Sequence, residues 1–204
     1  MFRSVTLNHQ QDRPRRSARV RLRPVDAEIM RAVTSIRLVT REDAEILAER
    51  LHRNREFLAP WQPSREPEFF TRAGQRAAIE RALQELEQGT TLPHVIVNGD
   101  TLVGRVTLSN IVRGPFQSCN IGYWVTSEEN GRGHATAAVE QISRIAFGEL
   151  ALHRIEAGTL PENIASQRVL EHNCFTRIGV APAYLRIAGR WQDHVLYQKL
   201  APGT

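Results

Sequence analysis

The chain has 204 residues, 41% apolar and 24% charged, with a formal net charge of +5, which is long enough for one domain with a substantial core. No window approaches 18 uninterrupted apolar residues and no apolar stretch follows the first arginines, so neither a membrane span nor a secretory signal is predicted. Two cysteines, Cys119 and Cys174, make no disulfide framework, and reduced thiols in a cytoplasmic protein are expected.

Residues 1–35 carry eight arginines against Asp12, Asp26 and Glu28, which is the whole charge excess; the remainder is balanced. Pro14 and Pro24 interrupt this segment, and no period is sustained in it. It reads as a flexible arginine-rich arm, and 36–204 as the folded domain. Two readings of the arm stay open: contact with RNA or an acidic partner, or an upstream extension with the compact domain starting near Met30.

Ile36–Val39 alternates as a strand. Thr40 offers an N-cap with Asp43 three residues on, and Ala44, Leu47, Ala48 and Leu51 are spaced as one helix face. Pro60 and Pro63 bar a regular helix around Trp61. A second helix is predicted over 72–88, with Ala78, Ala82 and Leu86 inward, stopping at Gly89. The period then changes to two. Strands over 94–97 and 101–106 flank Asn98-Gly99, a tight-hairpin signal. A strand follows over 119–125, then a helix over 132–147 with Ala135, Ala138, Val139, Ile142, Ile145 and Ala146 inward. A short strand over 153–157 precedes a helix over 163–171 burying Ala165, Val169 and Leu170. Strands over 175–180 and 191–200 close the chain. This order predicts an α+β, or mixed α/β, arrangement of one sheet with helices on its faces.

Between the strand ending at Val125 and its following helix stands Asn130-Gly131-Arg132-Gly133-His134-Ala135-Thr136. Two glycines at a strand-to-helix turn permit backbone geometry closed to other residues, and free N–H groups at a helix start form an anion site. Ala135 leaves room for a ligand, and Arg132 adds a cation. The pattern lacks the Lys-Ser/Thr of a phosphate-binding P-loop and the third glycine and early strand of a dinucleotide fold. No Cys-x-x-Cys or other metal-ligand spacing is present, so no metal is expected.

Gly122-Tyr123-Trp124-Val125 followed by Gly-Arg-Gly-His-Ala resembles the fourth strand and pyrophosphate loop of the GNAT N-acetyltransferases, with Asn130 where that loop usually has Gln or Arg. Five further segments resemble one branch, the ribosomal-protein-alanine N-acetyltransferases: 54–63, 110–116 with Cys119, 153–157, 163–166 and 189–195. They span roughly 36–200 in order. The resemblance implies a single twisted, mostly antiparallel sheet with helices on both faces, acetyl-CoA as co-substrate, and a protein N-terminal α-amine, an alanine of a small-subunit ribosomal protein, as acceptor. One departure is Cys174-Phe175 where the family usually has Gly-Phe, so the turn there is expected to be built differently.

The resemblance also implies roles. Val125, Gly131, Arg132, Gly133, His134, Ala135 and Thr136 would hold the cofactor, with Asn163 on its pantetheine amides. Ser166 would stand near the thiolate, because the tyrosine some relatives use falls at Leu170. Glu156 is a candidate base, since the Glu that other relatives place before Tyr184 is Ala183. Glu128 and Glu129 would receive the cationic N-terminus. Arg113 and Tyr184, with Trp61 and Phe116, are candidates for the peptide groove, although packing roles are expected for Trp61 and Phe116. Asp193-His194 reads as a structural hairpin pair. The same fold would also acetylate a small amine such as an antibiotic, polyamine or amino acid. A reading from another class is a non-catalytic acyl-CoA-binding or ribosome-associated factor. Monomer and homodimer are equally compatible with the sequence.

Overall fold

The computed structural model describes residues 34–203; the arginine-rich arm up to residue 33, and with it both readings of its role, lies outside the described residues. The strands are β1 (Thr34–Leu38), β2 (Leu92–Asn98), β3 (Thr101–Val112), β4 (Ser118–Val125), β5 (Arg154–Thr159), β6 (Thr176–Ile187) and β7 (Arg190–Leu200). The helices are α1 (Ala44–Arg53), α2 (Arg55–Leu58), α3 (Arg72–Glu87), α4 (His134–Gly148) and α5 (Ile164–His172). The strands form one sheet in the order β1-β2-β3-β4-β5-β7-β6. Every neighbour pair is antiparallel except β4 and β5.

Each face of the sheet is covered by helices. Ala138, Val139, Ile142 and Ala146 of α4 and Leu170 of α5 pack with Val106, Ile121, Ile155 and Tyr197 in the larger core. Ala44 and Leu47 of α1 and Ile79 of α3 pack with Val95, Val97 and Leu102 on the opposite face. Residues of one strand alternate between the two cores, as Val125 and Trp124 do. The entry to α1 is fixed by Asp43, whose buried carboxylate accepts from Thr40 N at 2.8 Å and from both terminal nitrogens of Arg37 at 2.7 and 2.8 Å. Burial alone would raise this carboxyl's pKa, but the Arg37 and Thr40 hydrogen bonds outweigh it and hold it below the usual carboxylate value.

The elements depart from expectation where a polar residue or a bulge intervenes. The buried stripe of α3 is Gln75, Ile79 and Ala82, with Ala78 and Leu86 only half-buried. The Gln75 amide goes inward because it donates to the Phe69 carbonyl at 2.6 Å, closing the 3₁₀ turn of Pro67–Phe70. Strand β6 runs seven residues beyond its expected end at Val180. Its register shifts between Ala181 and Leu185, so Pro182, which has no N–H, drops out of the ladder without ending the strand. On α5 only Leu170 is fully buried; Ala165 is exposed because it faces an open cleft. Strand β1 begins at Thr34, two residues before the expected domain start.

Candidate active site

The parallel pair β4 and β5 is joined only at Ser118–Asn120 with Arg154–Glu156. Past that vertex the two strands part, leaving Ile121–Val125 and Ala157–Thr159 without each other as partners. A cleft of about 620 Å³ runs through this gap. Its unpaired strand edges are backbone donors and acceptors that an amide-bearing ligand can satisfy.

The glycine loop forms one end of the cleft. Gly131 and Gly133 take φ of +76° and +87°, and Gly133 is the N-cap of α4. Asn130 and Gly131 form a turn that folds the Arg132 N–H back on the loop, and among the described residues the N–H groups of Gly133, His134, Ala135 and Thr136 have no protein acceptor. Four free donors at the start of a 15-residue helix are matched to a compact dianion such as a pyrophosphate. Asn54 fixes the approach to this loop: it is buried, its Nδ2 donates to Arg50 O at 2.9 Å, and its Oδ1 accepts from Ser127 N at 2.7 Å. Residues 73 positions apart are thereby joined, a link that no local pattern announces.

The expected cofactor residues gather here, with one change of role. Val125, Gly131, Gly133, Ala135, Thr136 and Asn163 line the cleft. The ring of His134 is instead buried, 2.7 Å from the Thr34 hydroxyl and 3.0 Å from Glu129. It pins β1 to the loop, and His134 offers a ligand its backbone N–H alone. Arg132 is exposed, with its guanidinium 3.3 Å from Glu129. Asn163 caps α5 by accepting from Ser166 N at 3.1 Å, and its Nδ2 has no protein partner among the described residues.

Ser166 lies in the cleft wall with its hydroxyl 2.8 Å from that of Tyr123, which also donates to the Ser166 carbonyl at 3.1 Å. Burial pushes the Tyr123 phenol well above its ordinary pKa, against the opposing pull of the Ser166 hydrogen bond, so it stays a neutral donor. Tyr123 is the residue sequence reasoning missed. Only its place in the strand motif singled it out, and its partner lies 43 positions away.

The remaining candidates divide. Glu156 is the last paired residue at the vertex, 3.5 Å from Arg154, and does not line the cleft. Glu128 is exposed outside the cleft, whereas Glu129 lines it but is engaged by Arg132 and His134. Arg113 is held at the end of β4 opposite the glycine loop, where it donates to the carbonyl of Leu150. It therefore does not join the candidate groove. Phe116 is exposed near it and packs in neither core. Trp61, expected to pack, is 37% exposed and lines the cleft with Phe57 and Gln62. Tyr184 is 49% exposed on the β6 bulge, its ring 5.5 Å from that of His194. Asp193 is structural, accepting from Ala183 N at 2.8 Å to hold that bulge; the adjacent His194 points to the other side and lines the cleft. Burial, with Glu156 adding to it, pushes the Cys119 thiol up to about 12, so it is no nucleophile. Cys174 is exposed, and both cysteines are free.

Among the described residues no cluster of His, Cys, Asp and Glu is placed to hold a metal, and no helix is long and apolar enough to cross a membrane.

The family model of the GNAT acetyltransferase domain matches residues 34–176. A probable N-acetyltransferase of Bacillus subtilis, YjcK, is 38% identical over 151 residues, covering 73% of this chain and 83% of its own. The ribosomal protein uS5-alanine N-acetyltransferase of Escherichia coli is 32% identical over 169 residues, covering 82% of this chain and 87% of its own. The structure of Mycobacterium smegmatis RimJ in complex with CoA-disulfide is 33% identical, with a TM-score of 0.81 over 83% of each chain. A split parallel pair, a donor-rich glycine loop at its mouth and these relatives agree: the chain belongs to the GNAT family and is an acetyl-CoA-dependent N-acetyltransferase.

Proposed function

We propose that the chain transfers acetyl to the N-terminal α-amine of a protein, an alanine-initiated ribosomal protein being the acceptor class that its relatives favour. The observation that carries this reading is the charge of the cleft. Among the described residues Glu129 is the one carboxylate lining it, and Arg132 and His134 already engage it; Glu68 and Glu85 line only the neighbouring hollow. A polyamine or aminoglycoside needs several free carboxylates, whereas a peptide N-terminus brings one charge and an extended backbone. A second hollow of about 700 Å³, on the face carrying α1 and α3, shares Gln62, Gly122, Tyr123 and Trp124 with the cleft and gives a peptide somewhere to run. The exposed rings of Phe57 and Trp61 beside it suit apolar peptide contact. A ribosomal acceptor goes with a cytoplasmic location.

Acetyl-CoA supplies an activated acyl group as a thioester. In this reading the free N–H groups of the glycine loop and Arg132 hold its pyrophosphate, and the Nδ2 of Asn163 meets a pantetheine amide. In this reading the single phenol hydrogen of Tyr123 turns from the Ser166 carbonyl to the Ser166 Oγ, which leaves the serine Oγ–H free to face the departing sulfur. Holding amine and thioester in line in the gap supplies much of the rate.

The test is thiol release from acetyl-CoA with peptides beginning in alanine, serine or methionine beside spermidine and an aminoglycoside. Preferred turnover of the alanine peptide is expected. Turnover of the small amines alone overturns the peptide reading while leaving acetyl transfer in place.

A further inference from the structure

We propose that His194 is the general base for the acceptor amine, and that it faces the gap from the side of the sheet opposite the Ser166–Tyr123 pair. The proposal rests on the acetyl-transfer reading of the cleft and adds the group which that reading lacks. Val195 and Tyr197 of β7 point into the core that carries α4 and α5, so His194 projects to the other face by strand alternation. The residue is 4% exposed and lines the cleft. Its Nδ1 lies 3.1 Å from the Gln192 carbonyl. A carbonyl only accepts, so Nδ1 carries the hydrogen and a neutral ring presents a bare lone pair at Nε2. Nε2 has no protein partner among the described residues, and it is not a sealed-off atom.

The ring is held in place. Tyr184 packs against it at 5.5 Å, on the bulge that Asp193 fixes. Gly158, two residues past the vertex, leaves the lane beneath it clear: a Cβ there would stand 3.5 Å from the imidazole. Of the other titratable groups, Asp193 points away, and Glu156 registers with Gln198, four residues further along β7. In the transfer, the ammonium nitrogen sheds two protons through Nε2 to solvent. The C–N bond forms as the C–S bond breaks, and the C–S electron pair leaves on sulfur. One proton returns from solvent to the sulfur by way of the Ser166 hydroxyl, so one proton is released in all.

His194→Asn keeps a donor for the Gln192 carbonyl but has no base. With whichever amine the wild type acetylates best, H194N is expected to lose roughly 10²- to 10⁴-fold in kcat while binding CoA as the wild type does. It should also lose any acidic limb of kcat/KM beyond the amine's own titration. Activity within about threefold of wild type, or an acidic limb lost in Glu156→Gln instead, overturns the assignment. A long-range ¹H–¹⁵N spectrum scores the ring without any acceptor: the Nδ1–H tautomer is expected, and the Nε2–H tautomer overturns the proposal. Wild-type protein inert towards every amine overturns the transfer reading itself, and the spectrum then still decides the tautomer.

Discussion

The two sides of the gap between β4 and β5 are built by different means. On the side of α4 and α5, the groups that face the cleft come from contiguous stretches: the loop 130–136 and the first turn of α5 from Asn163 to Ser166. On the side of α1 and α3 they come from far-separated places: Phe57 and Trp61 after α1, Gly158 on β5 and His194 on β7, with Tyr184 on a bulge beside them. In the proposed reading, cofactor binding would use backbone N–H groups, which glycine spacing and helix caps set locally. The proposed acceptor side would use side chains whose positions depend on register. A one-residue change in how β6 meets β7 moves Tyr184 off His194.

After His194→Asn, the largest effect should come from the cofactor side. Ser166→Ala is expected to lower kcat about 100-fold with CoA affinity near wild type. Tyr123→Phe should follow it in the same direction, since its hydroxyl reaches the reaction only through Ser166. Equal loss of CoA binding, read by calorimetry, would make the pair a binding feature instead. Next comes Asn54, which links α1 to the loop ahead of α4. Asn54→Ala leaves the Ser127 N–H and the Arg50 carbonyl without their side-chain partner, and should cost about 1–3 kcal/mol in urea unfolding. Its CoA affinity should drop as well, because the loop loses its tether.

Asp193→Ala tests the acceptor side alone. It removes the bond that holds the β6 bulge, so the acceptor KM should rise roughly 2- to 10-fold while the KM for acetyl-CoA stays put. A matching rise in both would show that the two sides are not separable. The smallest effect lies outside both. Cys174 holds φ of +60°, so the turn before β6 keeps a glycine-like geometry despite its β-carbon. That corrects the expectation of a differently built turn. Cys174→Gly should stabilise the fold by up to about 1 kcal/mol, or about 2–4 °C in Tm, with unchanged kinetics.

These differences also explain what could be read from the residues. The α1 face was legible in full, because Ala44, Leu47, Ala48 and Leu51 answer to one helical period. So was the glycine loop, because Gly131 and Gly133 mark positive φ in a strand-to-helix turn. The inward turn of Gln75 was not, since its bond to Phe69 lies in a 3₁₀ turn without a period of its own. Nor was the reach of β6, because Pro182 signals an end that the bulge circumvents. Tyr123 with Ser166, and Asn54 with Ser127, are pairs created by tertiary structure and carry no sequence spacing.

The account stands on the separation of the two sides, and calorimetric titration of CoA into Gly133→Val and His194→Asn measures it. Valine at φ of +87° is strained and turns the loop donors away. CoA binding to G133V should weaken by at least about tenfold, or 1.4 kcal/mol, while H194N binds as wild type. Undiminished binding by G133V, or loss of binding in H194N, would contradict the division of the cleft into a backbone-built cofactor side and a side-chain-built acceptor side.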